Sequence, residues 1–121
     1  LVEGQACGAV AFGIGGMLGE EIVVDPYGRQ LTTDFADYIM PRAGDVPEIA
    51  VGHHDSPNPV TFMGLKGAGE AGVGGSAAAI VNAVNDALCS LNVEIDELPV
   101  SAPNVWSAIQ VAARNPKESA S

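Results

Sequence analysis

Basic and aromatic side chains are both scarce in this sequence. Lys and Arg together number 5, Asp and Glu number 15, and the formal net charge is −10. Because nucleic acids and anionic membrane surfaces bind basic proteins, this balance disfavours both as partners. No apolar run reaches the roughly 18 residues that a membrane-spanning helix needs. The chain is therefore expected to have no nucleic-acid partner and no membrane span.

Cysteine and histidine are also rare, with 2 residues of each. Cys7 and Cys89 lie far apart within helical patterns, so they are expected to be free, buried thiols of a cytoplasmic protein. His53 and His54 are adjacent and would point to opposite faces of a strand, which disfavours a shared metal ion. Without a CxxC motif or a Cys/His cluster, no zinc or iron–sulfur site is predicted within this chain.

Glycine and small apolar residues dominate what is present. The chain has 15 glycines and 47% hydrophobic residues, which argues against disorder and for a single domain across residues 1–121. It begins with Leu1 and shows no signal-peptide pattern, so a fragment or a processed chain is expected.

Apolar spacings of three and four residues predict about three main helices. The first covers residues 3–20, where many glycines favour close contact with another backbone or a ligand. The second follows a candidate N-cap at Ser76. The third opens at Ser101 and ends at Asn115-Pro116. Its predicted buried face consists of Val105, Trp106, Ile109 and Ala112.

Short strands are predicted in the segments between these helices. Residues 21–25 and 30–33 flank the turn Pro26-Tyr27-Gly28-Arg29 and predict a β-hairpin. Residues 48–54 alternate like another strand, and residues 93–95 form a short one. The predicted fold class is therefore α/β of mixed α+β type, a small sheet with a β-hairpin and about three main helices.

Residues 55–70 are predicted to form a long loop, which in a small domain is usually functional. The second half of the loop belongs to the glycine-rich run Gly64-Leu65-Lys66-Gly67-Ala68-Gly69-Glu70-Ala71-Gly72. Gly67, Gly69 and Gly72 satisfy the GxGxxG spacing of dinucleotide-binding loops. However, the preceding segment is Pro-rich instead of a strand, and a carboxylate inside the motif would repel a pyrophosphate. A nucleotide-binding module is therefore the weaker alternative.

Glu70 stands in this loop just before an apolar helix. Glycines around it would let a substrate or cofactor approach its carboxylate, as a general base requires. The alternative is a glutamate that only complements the helix dipole, and residue chemistry alone favours that alternative. Lys66 is either a solvated loop lysine, a partner of Glu70 or a contact for an anionic cofactor.

Several motifs in order resemble one family. They are Val2-Glu3-Gly4-Gln5 with Gly13-Ile14-Gly15, residues 31–38 with Pro41-Arg42-Ala43, the glycine loop 64–72, residues 79–88 and residues 98–109. Together they resemble the C-terminal part of the molybdenum-cofactor large subunit of the xanthine oxidase, aldehyde oxidoreductase and aerobic carbon monoxide dehydrogenase family. The resemblance covers nearly the whole chain, which is accordingly expected to be a C-terminal piece of the molybdopterin-binding domain.

The resemblance implies a molybdenum-dependent oxidoreductase in which Glu70 is the catalytic base and Gly67, Gly69 and Lys66 lie at the cofactor. It implies molybdopterin, with the cytosine dinucleotide as one form, in the full-length enzyme. Iron–sulfur clusters and FAD are implied on partner subunits or domains. Carbon monoxide, aldehydes and N-heterocycles stay open as the small-molecule substrate. Phe12 stands where many relatives have a Gln near the cofactor.

The chain alone lacks the segments that hold most of the pterin in this family. It is therefore expected to bind no molybdenum and to be inactive without its partners, which are the remainder of the large subunit and the iron–sulfur and flavin subunits. The other alternative is a non-enzymatic assembly domain whose glycine-rich helices pack on a partner.

Overall fold

Three α-helices dominate the computed structural model, which describes residues 1–114. Helix α1 spans Val2–Leu18, α2 spans Val73–Leu88 and α3 spans Ala102–Arg114. Single turns of 3-10 helix at Phe62–Gly64 and Cys89–Leu91 precede and follow α2. The helices fall where apolar spacing predicted them. The predicted end of α3 at Asn115-Pro116 lies outside the described residues.

The core is small and lies between α2, the segment that follows it, and α3. Its buried cluster consists of Leu88, Val93, Ile95 and Val100. Partly buried side chains of all three helices pack around this cluster: Met17, Ile80, Val81, Val84, Val105, Ala108, Ile109 and Ala112. Trp106 was predicted to face the core but is 63% exposed. The buried stripe of α3 thus runs through Val105, Ala108, Ile109 and Ala112, and the indole lies beside it.

The predicted sheet with a β-hairpin is wrong. The structure is 46% helical and 2% strand, without a sheet among residues 1–114. Val24 and Gln30 form an isolated antiparallel bridge. Thr32 shows why pairing stops there, because its Oγ1 accepts a hydrogen bond from the Val23 N–H at 2.9 Å and donates to the Glu21 carbonyl at 3.0 Å. A side-chain hydroxyl thus replaces backbone partners, and a two-stranded ribbon without a covering layer is only marginally stable.

Residues 48–54 and 93–95, also predicted as strands, have no strand structure. Asn85 of α2 explains the second case. Its Oδ1 accepts a hydrogen bond from the Ile95 N–H at 2.9 Å, and its Nδ2 donates to the Ile95 carbonyl at 3.1 Å. Both backbone groups that a neighbouring strand would use are therefore already bonded to a side chain, and the mixed α/β class is corrected to a helical one.

Helices α1 and α2 approach each other closely through glycine. A Cβ on Gly13 would lie 2.7 Å from the Ser76 Cβ, and one on Gly72 would lie 3.0 Å from the Ala9 Cβ. Glycine suits both positions, because a side chain at Gly13 would overlap Ser76 and one at Gly72 would require its neighbours to shift by a few tenths of an ångström. Other glycines of α1 are open, since a Cβ on Gly4, Gly8 or Gly16 would meet no atom within 4 Å.

Both cysteines are free. Cys7 is half-buried in α1, whereas Cys89 is exposed, so the prediction of a buried thiol is wrong for Cys89. The 3-10 turn that begins at Cys89 carries the thiol away from the stripe that α2 buries. None of the helices in the described part of the chain is both long enough and apolar enough to cross a bilayer.

Candidate functional site

The four predicted site residues lie in one loop, residues 65–72, between the 3-10 turn and α2. The stem of the loop is closed by local hydrogen bonds. The Asn58 N–H donates to the Gly64 carbonyl at 3.2 Å, and the Thr61 hydroxyl donates to the Leu65 carbonyl at 2.8 Å. Gly64 has a φ of +71°, which suits glycine because a Cβ is disfavoured there. Local hydrogen bonds therefore fix the backbone from which the loop begins.

Glu70 is exposed and lies two residues before Gly72, the N-cap residue of α2. Its carbonyl accepts a hydrogen bond from the Val73 N–H at 3.1 Å. The first turn of α2 contains no acidic residue, so Glu70 precedes the position at which a glutamate usually complements a helix dipole. Its backbone is anchored to the helix while its carboxylate reaches solvent.

Ser76 is not the N-cap of α2, contrary to the prediction. The helix begins three residues earlier at Val73, and Ser76 is buried inside it at 7% exposure. Its Oγ donates to the Val73 carbonyl at 3.0 Å. Serine inside a helix commonly bonds back to a carbonyl of the preceding turn, and sequence spacing alone does not separate this role from capping.

Gly67 and Gly69 are open on their side-chain face. A Cβ on either residue would meet no atom within 4 Å, so an external group can approach the backbone there. Across residues 1–114, no three His, Cys, Asp or Glu side chains are grouped to hold a metal ion.

Lys66 is exposed and contacts the segment before the 3-10 turn. Its Nζ donates to the Ser56 hydroxyl at 3.3 Å, beside an open cavity of about 340 Å³ lined by Asp55, Ser56, Pro57 and Gly64. The ion pairs within the described residues are Arg29–Asp25 and Arg42–Asp45, and His53 contacts Glu3. Lys66 thus does not pair with Glu70 in this arrangement. Its ammonium group instead contacts Ser56, which precedes the 3-10 turn.

The segment before the 3-10 turn contacts α1 through a pair of side chains that sequence spacing did not predict. The His53 Nε2 lies 3.1 Å from the Glu3 Oε1, and both side chains are largely exposed. The two residues are 50 positions apart, so no local spacing indicates the pair. His53 therefore contacts the start of α1, while the adjacent His54 is exposed.

The dinucleotide alternative lacks its structural context. Residues 65–68 before and within the GxGxxG spacing are irregular, whereas the motif requires a preceding strand. Gly72 is also covered, because a Cβ there would lie 3.1 Å from the Ala6 carbonyl oxygen. Helix α1 packs against Gly72 where a side chain would be, so the backbone there is not open to a phosphate.

The C-terminal end of α1 borders a second, mainly apolar region. A cavity of about 200 Å³ there is lined by Ile14, Gly15, Leu18, Gly19, Ile39, Pro41, Arg42 and Asp45. The Arg42 guanidinium donates to the Asp45 carboxylate at 3.0 Å and lowers the pKa of that carboxyl below its usual 3.8. Nearby in sequence, the Tyr38 hydroxyl donates to Glu20 at 2.8 Å, which raises the pKa of the phenol above 10.0. These pairs stabilise loop geometry, and none of the predicted site residues lies among them.

Comparison with known proteins gives one family match. Residues 1–47 match the family described as the molybdopterin cofactor-binding domain. This segment contains α1 and the loop that follows it, and it does not include Glu70.

Individual relatives match most of the chain. The nicotine 6-hydroxylase large subunit of Paenarthrobacter nicotinovorans is 40% identical over 89% of this chain and 13% of its own length. The carbon monoxide dehydrogenase large chain of Afipia carboxidovorans is 32% identical over 88% of this chain and 13% of its length. The crystal structure of quinoline 2-oxidoreductase from Pseudomonas putida 86 matches with a TM-score of 0.86 and 41% identity, over 90% of this chain and 14% of that one. The chain thus spans about one-seventh of these relatives.

Proposed function

The chain belongs to the molybdenum-cofactor large-subunit family of xanthine oxidases, aldehyde oxidoreductases and aerobic carbon monoxide dehydrogenases, and on that premise we propose that Glu70 is the catalytic base of a molybdenum-dependent oxidoreductase. The observation that carries the proposal is the combination of an exposed carboxylate with open glycine backbone beside it. A reacting group needs such access to reach a general base. This chain contributes one wall of the site, and the remainder of the large subunit contributes the others.

Glu70 acts in its ionised form and takes a proton from the oxygen nucleophile as that oxygen attacks the substrate carbon. The bound molybdopterin supplies the two-electron oxidation. Proton transfer requires the carboxylate oxygen within about 2.6–3.2 Å of the proton donor. The hydrogen bond from the Val73 N–H to the Glu70 carbonyl fixes the backbone from which the carboxylate extends. Since Glu70 is exposed in this chain, the rest of the subunit excludes bulk water from it.

Gly67, Gly69 and Lys66 hold the cofactor beside Glu70. The open face of Gly67 and Gly69 admits the pterin to backbone N–H groups. Lys66 carries the positive charge that an anionic pterin phosphate needs, and its present hydrogen bond to Ser56 is a weak one that is readily exchanged. The proposed cofactor is molybdopterin, with the cytosine dinucleotide as one candidate form.

The proposed partners are the remainder of the large subunit and the iron–sulfur and flavin subunits, which receive the electrons through iron–sulfur clusters and FAD. Exposed apolar side chains such as Phe12, Phe62 and Trp106 support docking onto a larger body. The proposed substrate is an N-heterocycle or an aldehyde, because the nicotine and quinoline enzymes are 40% and 41% identical and an Escherichia coli aldehyde oxidoreductase subunit is 40% identical, against 32% for the carbon monoxide enzyme. With two free thiols, the proposed location is the cytoplasm.

The test is Glu70→Gln in the full-length large subunit assembled with its partners. The amide keeps the shape of the side chain but accepts no proton, so kcat is expected to fall about 100- to 10,000-fold. Molybdenum content and the absorption spectrum of the assembled enzyme are expected to stay unchanged, because the backbone contacts of the loop do not involve the carboxylate.

Glu97→Gln is the matched control, since Glu97 is an exposed glutamate in a different segment. It makes the same chemical change and is expected to leave kcat unchanged. Turnover by the Glu70→Gln enzyme at the rate of the parent would show that Glu70 is not the base. Loss of molybdenum together with turnover would instead assign Glu70 to cofactor retention.

A further inference from the structure

Gly13 of α1 lies directly against Ser76 of α2. A Cβ built on Gly13 would overlap the Ser76 Oγ and would lie 2.7 Å from the Ser76 Cβ. Real Cβ atoms essentially never approach other atoms so closely, so either the serine or the helix that carries it would have to move. Both residues are buried, and packed interiors leave little room for such a movement.

Gly72 forms a second contact at the N-terminal end of the same helix. A Cβ there would lie 3.0 Å from the Ala9 Cβ and 3.1 Å from the Ala6 carbonyl oxygen. Helix α1 therefore touches α2 on both sides of the first turn of α2, at Gly72 and at Ser76. The position and tilt of this turn therefore depend on the absence of a side chain at Gly13 and at Gly72.

The first turn is connected to Glu70 by two hydrogen bonds. The Ser76 Oγ donates to the Val73 carbonyl at 3.0 Å, and the Val73 N–H donates to the Glu70 carbonyl at 3.1 Å. No side-chain hydrogen bond within the described residues involves the Glu70 carboxylate. The position of that carboxylate is consequently set by the Glu70 backbone. The hydrogen bonds of Val73 and Ser76 in turn hold that backbone in place.

We propose that Gly13 and Gly72 are positioning residues, which set the place of the Glu70 carboxylate by letting α1 press against the first turn of α2. This inference rests on the proposed function of Glu70 as the base. A methyl group on Gly13 displaces Ser76, and the displacement reaches Glu70 through Val73. A shift of about 1 Å at a reacting group lowers a rate by about 100-fold.

The test uses the assembled full-length enzyme with Gly13→Ala, Ser76→Gly and the two together. Gly13→Ala is expected to lower kcat per molybdenum-loaded site about 10- to 100-fold with KM within about twofold. Ser76→Gly removes both atoms that the new methyl group would meet. The double variant is therefore expected to regain the kcat of Ser76→Gly alone, and counting kcat per molybdenum-loaded site keeps loss of folded enzyme out of this comparison.

Hydrogen exchange of the peptide that contains Val73 gives a readout independent of turnover. Exchange there is expected to speed up in Gly13→Ala and to be no faster in the double variant than in Ser76→Gly alone, because the Val73 N–H carries the bond to Glu70. Gly16→Ala adds the same methyl group to α1 where the described residues leave open space, and it is expected to change neither quantity. If Gly13→Ala fails to assemble, Gly72→Ala takes its place, since its contacts at 3.0 and 3.1 Å are milder.

Unchanged kcat per loaded site in Gly13→Ala, or in Gly72→Ala where that variant replaces it, would overturn the inference. A double variant clearly slower than Ser76→Gly alone would overturn it as well. The Glu70→Gln enzyme separates this failure from failure of the proposed function. If Glu70→Gln is inactive while the glycine variant turns over normally, only the positioning role is wrong. If Glu70→Gln is active, the base assignment itself is wrong.

Discussion

Asn85 on α2 is hydrogen-bonded to both backbone polar groups of Ile95, to the N–H at 2.9 Å and to the carbonyl at 3.1 Å. Ile95 is 7% exposed and belongs to the core cluster with Val93 and Val100. The amide of a single side chain thereby satisfies a buried stretch of irregular backbone, which otherwise would lack partners. This contact fastens the segment between α2 and α3 onto α2.

Asn85→Ala is expected to lower the free energy of unfolding of the 121-residue chain by about 2–3 kcal/mol, because it leaves the buried Ile95 N–H and carbonyl without partners. Urea unfolding followed by circular dichroism measures the change. Asn82→Ala is the matched control, since Asn82 is an exposed asparagine of the same helix, and it is expected to have an effect within about 0.5 kcal/mol. Equal effects of the two substitutions would contradict a special role for Asn85.

The three helices were predictable because their signal is local. Ile80, Val84 and Leu88 recur every four residues, and this stripe packs on the core as expected. The strands were not predictable, because a short apolar run is compatible with several structures. Thr32 and Asn85 decide the outcome by bonding to backbone groups with their side chains, and such bonds compete with a sheet without altering the hydrophobic pattern.

The glycine loop before α2 was also predictable, since Pro and Gly interrupt regular structure at known positions. The contacts that surround it were not. Glu3 and His53 are 50 positions apart, and Gly13 meets Ser76 across two helices. A glycine in a helix indicates close approach, but it does not identify what approaches. The function of Glu70 itself stays a prediction that rests on family membership and on the open geometry of the loop.

Arg42→Gln is expected to raise the pKa of the Asp45 carboxyl toward its ordinary 3.8, because it removes the guanidinium that bonds to the carboxylate at 3.0 Å. The folded pKa lies below the unfolded value, so the contribution to stability is fully present above pH 3.8 and is lost as the pH falls through the folded pKa. An NMR titration of the Asp45 side-chain carboxyl measures the shift. Arg29→Gln, which removes a guanidinium paired with Asp25, is expected to leave the titration of Asp45 unchanged.

The 121-residue chain alone is expected to carry far less than one molybdenum atom per molecule. A tightly bound cofactor is usually buried over about 70–90% of its surface, whereas Glu70, Gly67 and Gly69 form an exposed loop that covers one side of a ligand. Metal analysis of the chain, produced in cells that synthesise molybdopterin, measures this directly, and the full-length subunit from the same cells is the positive control. Stoichiometric molybdenum on the short chain would mean that these 121 residues form a complete binding site, and the division of the site between this chain and the remainder of the subunit would be wrong.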